Sequence, residues 1–172
     1  MRIRSMARIL FTSAIACAAL AADPVRTAAR DDDVAKFFEK AASAGKLEIE
    51  MGKLATQRAT EPELRDFGQM MVKDHTQADS ELKALAARKG VNVPTAMSRD
   101  HQKKLDALRA EKSGKDFDDE YRDLMIDSHD EAVDLFEDTA RDSADPDVKA
   151  FAAKLLPKLQ HHQSAANALP KM

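Results

Sequence analysis

Four residues of this chain pair a ligand-capable side chain with core-facing spacing: Glu48, His75, His129 and His162. Each interrupts an otherwise apolar stripe. His75 falls among Leu64, Phe67, Met71, Ala78, Leu82 and Leu85, a spacing that draws one line down a helix. His129 falls among Phe117, Tyr121, Met125, Ala132, Phe136 and Ala140, and His162 among Val148, Leu155 and Leu169. Glu48 occupies the heptad series of Val34, Ala41 and Ala55, where a lone carboxylate is costly to bury unless it is paired. One carboxylate and three imidazoles at one point form a donor set for a single transition-metal ion: zinc, iron, manganese or copper. The same groups also suit a metal-free hydrogen-bond network that fixes helix register. Met51, Met71 and Met125 lie one turn away, and at helical spacing they read as core filler rather than thioether ligands.

The elements that must position these residues are all helical. Few glycines and prolines, 5% aromatic and 33% charged residues exclude any obvious sheet. A first helix is expected from the Asp31-Asp32-Asp33 cap to about Ala59, and a second from Thr60 to Gly90. Thr60 and Glu63 form an S/T-x-x-E capping box there, Pro62 sits in the first turn, and Gly90 marks the stop. A short helix over about Thr95 to Glu111 reads as a crossover. His101 on its stripe reads as a structural histidine. Two more long helices follow, near Asp116 to Asp142 and from the Asp145-Pro146 start onward, the last carrying an internal Pro157. The result is an all-α domain over residues 31–170, built of two antiparallel hairpins joined by a short crossover helix. An echo of Glu61-Pro62-Glu63-Leu64 in Asp145-Pro146-Asp147-Val148 is consistent with two similar hairpins. Glu48 and His75 lie about equally far from the first hairpin turn, as do His129 and His162 from the second. At about 1.5 Å per residue, the stagger within either hairpin is about one helical turn or less. All four groups therefore belong to one central layer.

The remainder narrows compartment and partners. Arg2, Arg4 and Arg8 precede an apolar run ending in Ala19-Leu20-Ala21, the pattern of a secretory signal over residues 1–22, with a polar linker over residues 23–30. Export to a periplasm would remove the lone cysteine, Cys17. The other reading, acylation of Cys17, is weakened by Ala14, which stands where a leucine is usual. A formal net charge of −3, more negative once three arginines are removed, does not suit a nucleic-acid binder, and the mature chain holds no membrane-spanning run. A protein partner or homo-oligomer stays open. No nucleophile triad or phosphate loop stands out, and Ser128 beside His129 points to a different azimuth. Asp74, Asp127, Asp130 and Glu81 read as solvated or supporting groups, and the acidic runs at 118–120 and 127–131 as an exposed face.

Four segments carry a resemblance: GKLEIEMGKLA (Gly45 to Ala55), FGQMMVKDHTQADSEL (Phe67 to Leu82), SGKDFDDEYRDLMIDSHDEAVDLF (Ser113 to Phe136) and LPKLQHHQSAANAL (Leu156 to Leu169). Together they resemble the bacterial domain-of-unknown-function 4142 family, exported proteins often labelled outer-membrane. The resemblance implies a ferritin-like four-helix bundle with no established activity, and recurrent polar positions matching Glu48, His75, Tyr121, His129 and His162. The outer-membrane label finds no alternating strands for a barrel here. Diiron members of the ferritin-like class carry Glu-x-x-His on two helices, whereas Val72, Ile126 and Leu159 stand three residues before His75, His129 and His162. One ion, or none, fits this donor set better than two. Envelope metal handling or stress defence is the expected role. A non-enzymatic structural or interaction module is the alternative, and a redox enzyme is the least supported reading.

Overall fold

The structure, a computed structural model, describes residues 24–171. The expected signal segment and Cys17 lie outside the described residues. Five helices and no strands are present among them: α1 (Pro24–Arg58), α2 (Pro62–Arg88), α3 (Arg99–Ala110), α4 (Lys115–Asp142) and α5 (Pro146–Asn167). None of the described helices is long and apolar enough to cross a membrane.

α1 packs chiefly on α2, and α4 on α5, while α1 also meets α4 and α2 meets α5. The hairpin of α1 and α2 is close because both carry glycine at the crossing. A Cβ on Gly52 would stand 2.7 Å from the carbonyl oxygen of Gly68, and one on Gly68 would stand 2.8 Å from that of Gly52. The two backbones therefore touch one turn away from Glu48. α3 lies across α1 and α4 through buried Leu105 and Leu108. Ser43 fixes its start: the hydroxyl accepts the Ser98 N–H at 2.8 Å and bonds His101 Nδ1 at 2.7 Å, the structural role expected of His101. Arg58 fixes its end, donating to the carbonyls of Arg109 and Glu111 while stacking over the Phe117 ring at 4.5 Å.

Three helix starts differ from the sequence reading, the simplest being α3, which begins at Arg99 behind the N-cap Ser98 rather than near Thr95. α1 is already helical at Pro24, the first described residue, so residues 24–30 are helical rather than a linker, and Asp31 to Asp33 lie inside the helix instead of capping it. Ala28 and Ala29 favour helix through this stretch. The Thr60–Glu63 capping box does not form either. The N-cap residue of α2 is Glu61, and its side chain makes no capping bond. Instead Asp118 of α4, buried rather than on the exposed acidic face, accepts the backbone N–H of Thr60 at 3.0 Å and of Glu61 at 3.3 Å, together with the Thr60 hydroxyl. A carboxylate from the neighbouring hairpin thus does the work assigned to Glu63, and it ties the α1–α2 turn to the start of α4.

Other termini follow the sequence. Asp145 caps α5 by accepting from Asp147 and Val148. Gly90, at φ +69°, ends α2 with Gly90 N–H on Ala87 and Val91 N–H on Ala86, a Schellman arrangement that needs the left-handed residue glycine supplies. Lys89 then bridges Asp145 at 2.8 Å and Asp147 at 2.6 Å, so the end of α2 sits beside the start of α5. α3 therefore runs back from that end to the start of α4, as a crossover must.

The apolar interior divides into two clusters. One gathers Phe37, Phe38, Leu82, Leu85, Phe136 and Phe151, and the other Met51, Phe67, Met71, Phe117, Tyr121 and Met125. On α2, α4 and α5 the boundary between them falls at a polar residue, His75, His129 and His162, and on α1 Glu48 lies just inside the second cluster, beside Leu47.

Candidate metal centre

Each of the four long helices sends one polar side chain into that boundary layer, and all four side chains are buried. The three imidazoles form a nearly equilateral triangle, with ring centroids 5.7 Å apart for His75 and His129, 5.3 Å for His75 and His162, and 5.6 Å for His129 and His162.

One nitrogen of each ring is committed to an oxygen. His75 Nδ1 donates to Glu48 Oε2 at 2.9 Å, His129 Nδ1 to the Met125 carbonyl at 2.7 Å, and His162 Nε2 to Asp74 Oδ2 at 3.1 Å. A carbonyl or ionised carboxylate only accepts, so each bond places the ring's proton on that nitrogen. The opposite nitrogens, His75 Nε2, His129 Nε2 and His162 Nδ1, are buried and have no hydrogen-bond partner. A buried polar atom left unpaired costs about 1–3 kcal/mol, and here three converge. One ligand nitrogen from each histidine lies within 4.8 Å of the other two. An ion with bonds of about 2.0–2.1 Å draws such nitrogens to about 3.3 Å, so the rings need close by no more than about 1.5 Å. The residues fit a metal ion: three buried imidazoles, each with one ring nitrogen bonded to an oxygen behind it and the other unpartnered.

Glu48, read from the sequence as a fourth ligand, occupies a different place. Oε2 is taken by His75, and Oε1 accepts the Ser128 hydroxyl at 2.8 Å and lies 3.7 Å from His129 Nε2. It stands behind one imidazole and beside another, and the three-nitrogen group closes without it. Burial by itself would raise its pKa, but the positive potential of His75 and His129 and the bonds from His75 and Ser128 prevail and hold it down at about 2. His75 answers in the other direction. Burial alone would lower its pKa, and the Glu48 carboxylate raises it above the ordinary histidine value. His162 is pushed down to about 4, first by burial and then by the charge of His75, so its lone pair stays available throughout the neutral range.

A profile of a family described as a domain of unknown function, DUF4142, matches residues 19–169. The chain belongs to the DUF4142 family. No curated protein matches it in sequence at a significant level. Among solved structures, this DUF4142 chain is similar to CopM in its Cu(II)-bound form, with a TM-score of 0.65 and 21% identity over 78% of this chain and 93% of that one. CopM in its Cu(I)-bound form is similar to the same degree, at TM-score 0.65 and 22% identity over 78% of this chain and 93% of that one. A DUF305 fragment from Deinococcus radiodurans follows at TM-score 0.69 and 13% identity, over 79% of this chain and 93% of that one. These likenesses establish a shared helical fold.

The DUF4142 chain supports its histidines through Asp74, which the sequence reading left as a solvated or supporting group, and through Ser128, which it did not place at the site. Asp74, immediately before His75, reaches across to α5 and holds His162 while bridging Lys158 at 3.3 Å. Ser128, immediately before His129, reaches across to α1 and holds Glu48. Residues adjacent in a helix differ by about 100° in direction, so they face the neighbouring helix rather than the centre. Their signal in the sequence was a short polar residue directly before each of two core histidines. His161, by contrast, is exposed, as its place beside Lys154 and Lys158 implied. Tyr121, singled out by the family resemblance, is wholly buried with an unpartnered hydroxyl. It packs against Phe117 and Phe67, and the Phe67 ring also borders His129.

Proposed function

We propose that this protein is an exported ferritin-like four-helix bundle that binds one transition-metal ion through His75, His129 and His162 and serves metal handling in the bacterial envelope. The observation that carries this reading is the set of three buried histidines, each with one partnerless ring nitrogen and each offering a ligand nitrogen within 4.8 Å of the other two. A purely structural network would leave those atoms unsatisfied, whereas one ion satisfies all three. Glu48 orients His75 and supplies a compensating negative charge. The nitrogen-rich donor set favours copper or zinc over manganese, which prefers oxygen ligands. The Cu(I), Cu(II) and silver complexes of CopM, whose fold this chain shares, support copper as the first candidate.

Element analysis of untagged protein loaded with Cu²⁺ or Zn²⁺ and then desalted tests the reading. The expected result is about one ion per chain, lost in the His129→Ala and His162→Ala variants, with 1:1 content following from the single triangle of donors. The paired Glu48 carboxylate favours a second reading, a metal-free polar layer that fixes the register of the four helices. That reading requires a melting temperature indifferent to metal.

A further inference from the structure

The three ligand nitrogens are enclosed, so a cation needs a way in. A narrow cavity of about 40 Å³, lined in part by half-buried residues, reaches Glu48 and His75. That is room for at least one water molecule. Its half-buried rim is Ala44 and Gly45 on α1, Ala78 and Asp79 on α2, and Leu155 on α5, so the α1 and α2 sides are lined by small or short side chains. A Cβ built on Gly45 meets nothing within 4 Å, so this wall is open where a larger residue would fill it.

The polarity of the passage runs inward. Asp79 on the rim shares its charge with Lys83 at 2.6 Å, while Glu48 on the floor is a buried carboxylate whose neighbours are His75, His129 and Ser128, the groups an ion would join. An ion at Glu48 Oε1 stands beside His129 Nε2, 3.7 Å away, and beside His75, which lines the same cavity. The opposite flank of the site is closed: Asp74 covers His162 Nε2 and carries Lys158, whose positive charge opposes a cation there.

We infer that this cavity is the passage by which a metal cation reaches the three histidines, kept open by Gly45 and Ala78, with Glu48 as the first group the cation meets inside. The inference rests on the metal-binding reading above. It concerns rate rather than affinity, because an obstruction raises one barrier from both sides.

Stopped-flow uptake of Zn²⁺ by the full chain, and its release to a chromophoric chelator, provide the test, with Gly45→Leu and Ala78→Leu on different helices so that misfolding of one does not decide the outcome. Helicity and melting temperature confirm that each variant is folded. The expected result is that uptake and release both slow by the same factor, more than about ten-fold, while the dissociation constant stays at the wild-type value. Wild-type rates in both folded variants would overturn the passage and leave the metal site standing. Failure of the wild-type chain to bind Zn²⁺ or Cu²⁺ at all would overturn the metal site, and the passage with it.

Discussion

Replacing Glu48 by glutamine isolates what the buried carboxylate contributes. Glutamine keeps the size of the side chain and can still accept from Ser128, but it cannot offer His75 Nδ1 a negative charge at 2.9 Å. That charge raises the basicity of His75, and with Glu48 only 1% exposed no solvent replaces it. Removing a carboxylate behind a ligating imidazole costs about 10–100-fold in metal affinity, or about 1.4–2.7 kcal/mol. The upper half of that range is expected here, because the oxygens behind His129 and His162 are a neutral carbonyl and a partly solvated carboxylate and cannot take over the role of Glu48. Competition against a chromophoric chelator at pH 7.5, with Zn²⁺ and Cu²⁺ in turn, measures the effect, and circular dichroism confirms the fold. An affinity within about two-fold of wild type in a folded Glu48→Gln protein would refute the assignment, since it would show that Glu48 does not act on the site through His75.

Three further outcomes follow from the packing and the ionisation. Gly52→Ala should lower stability by about 1–3 kcal/mol in chemical denaturation, because the new methyl group meets the Gly68 carbonyl 2.7 Å away and must push α1 from α2. Asp118→Ala should lower stability by about 1–2 kcal/mol by the same measurement, since it strips the cap from the Thr60 and Glu61 backbone groups. The third concerns pH. The raised pKa of His75 gives the metal-free protein stability that is fully present below the unfolded histidine value of about 6.5 and is lost as pH rises through the higher folded value. His162, depressed to about 4, contributes in the opposite sense: its share is present above about 6.5 and is lost as pH falls toward 4. An ion takes the place of the proton on His75 Nε2, so its stabilising effect should grow with pH. Thermal melts with and without Zn²⁺ should show a larger metal-induced rise at pH 8 than at pH 6.

The helices were legible because each long one carries an apolar stripe broken at a single position, and side-chain direction on a helix follows from spacing alone. The same arithmetic placed Glu48, His75, His129 and His162 in one layer, and the interior does divide at the three histidines, with Glu48 bonded to His75 beside them. Interactions that cross between helices at oblique angles were not legible. Thr60 and Glu63 spell a local cap, yet the carboxylate that serves the Thr60 backbone comes from Asp118, distant in sequence and lying in an acidic run that looks solvent-facing. Asp74 reads from the sequence as a solvated or supporting group and Ser128 as facing another azimuth than His129, but spacing does not name their partners, His162 and Glu48 on the adjacent helices. Nor does spacing distinguish a ligand from the group behind it: Glu48 shares the depth of the histidines, and only the coordinates show its Oε2 spent on His75.

The most direct measurement is a crystal structure of the Cu²⁺- or Zn²⁺-loaded protein, with anomalous scattering recorded at the metal edge. The account predicts one peak per chain, bonded at about 2.0–2.1 Å to His75 Nε2, His129 Nε2 and His162 Nδ1, with Glu48 still on His75 Nδ1. A loaded ion held elsewhere, or an interior that stays metal-free while those three nitrogens remain apart, would contradict it.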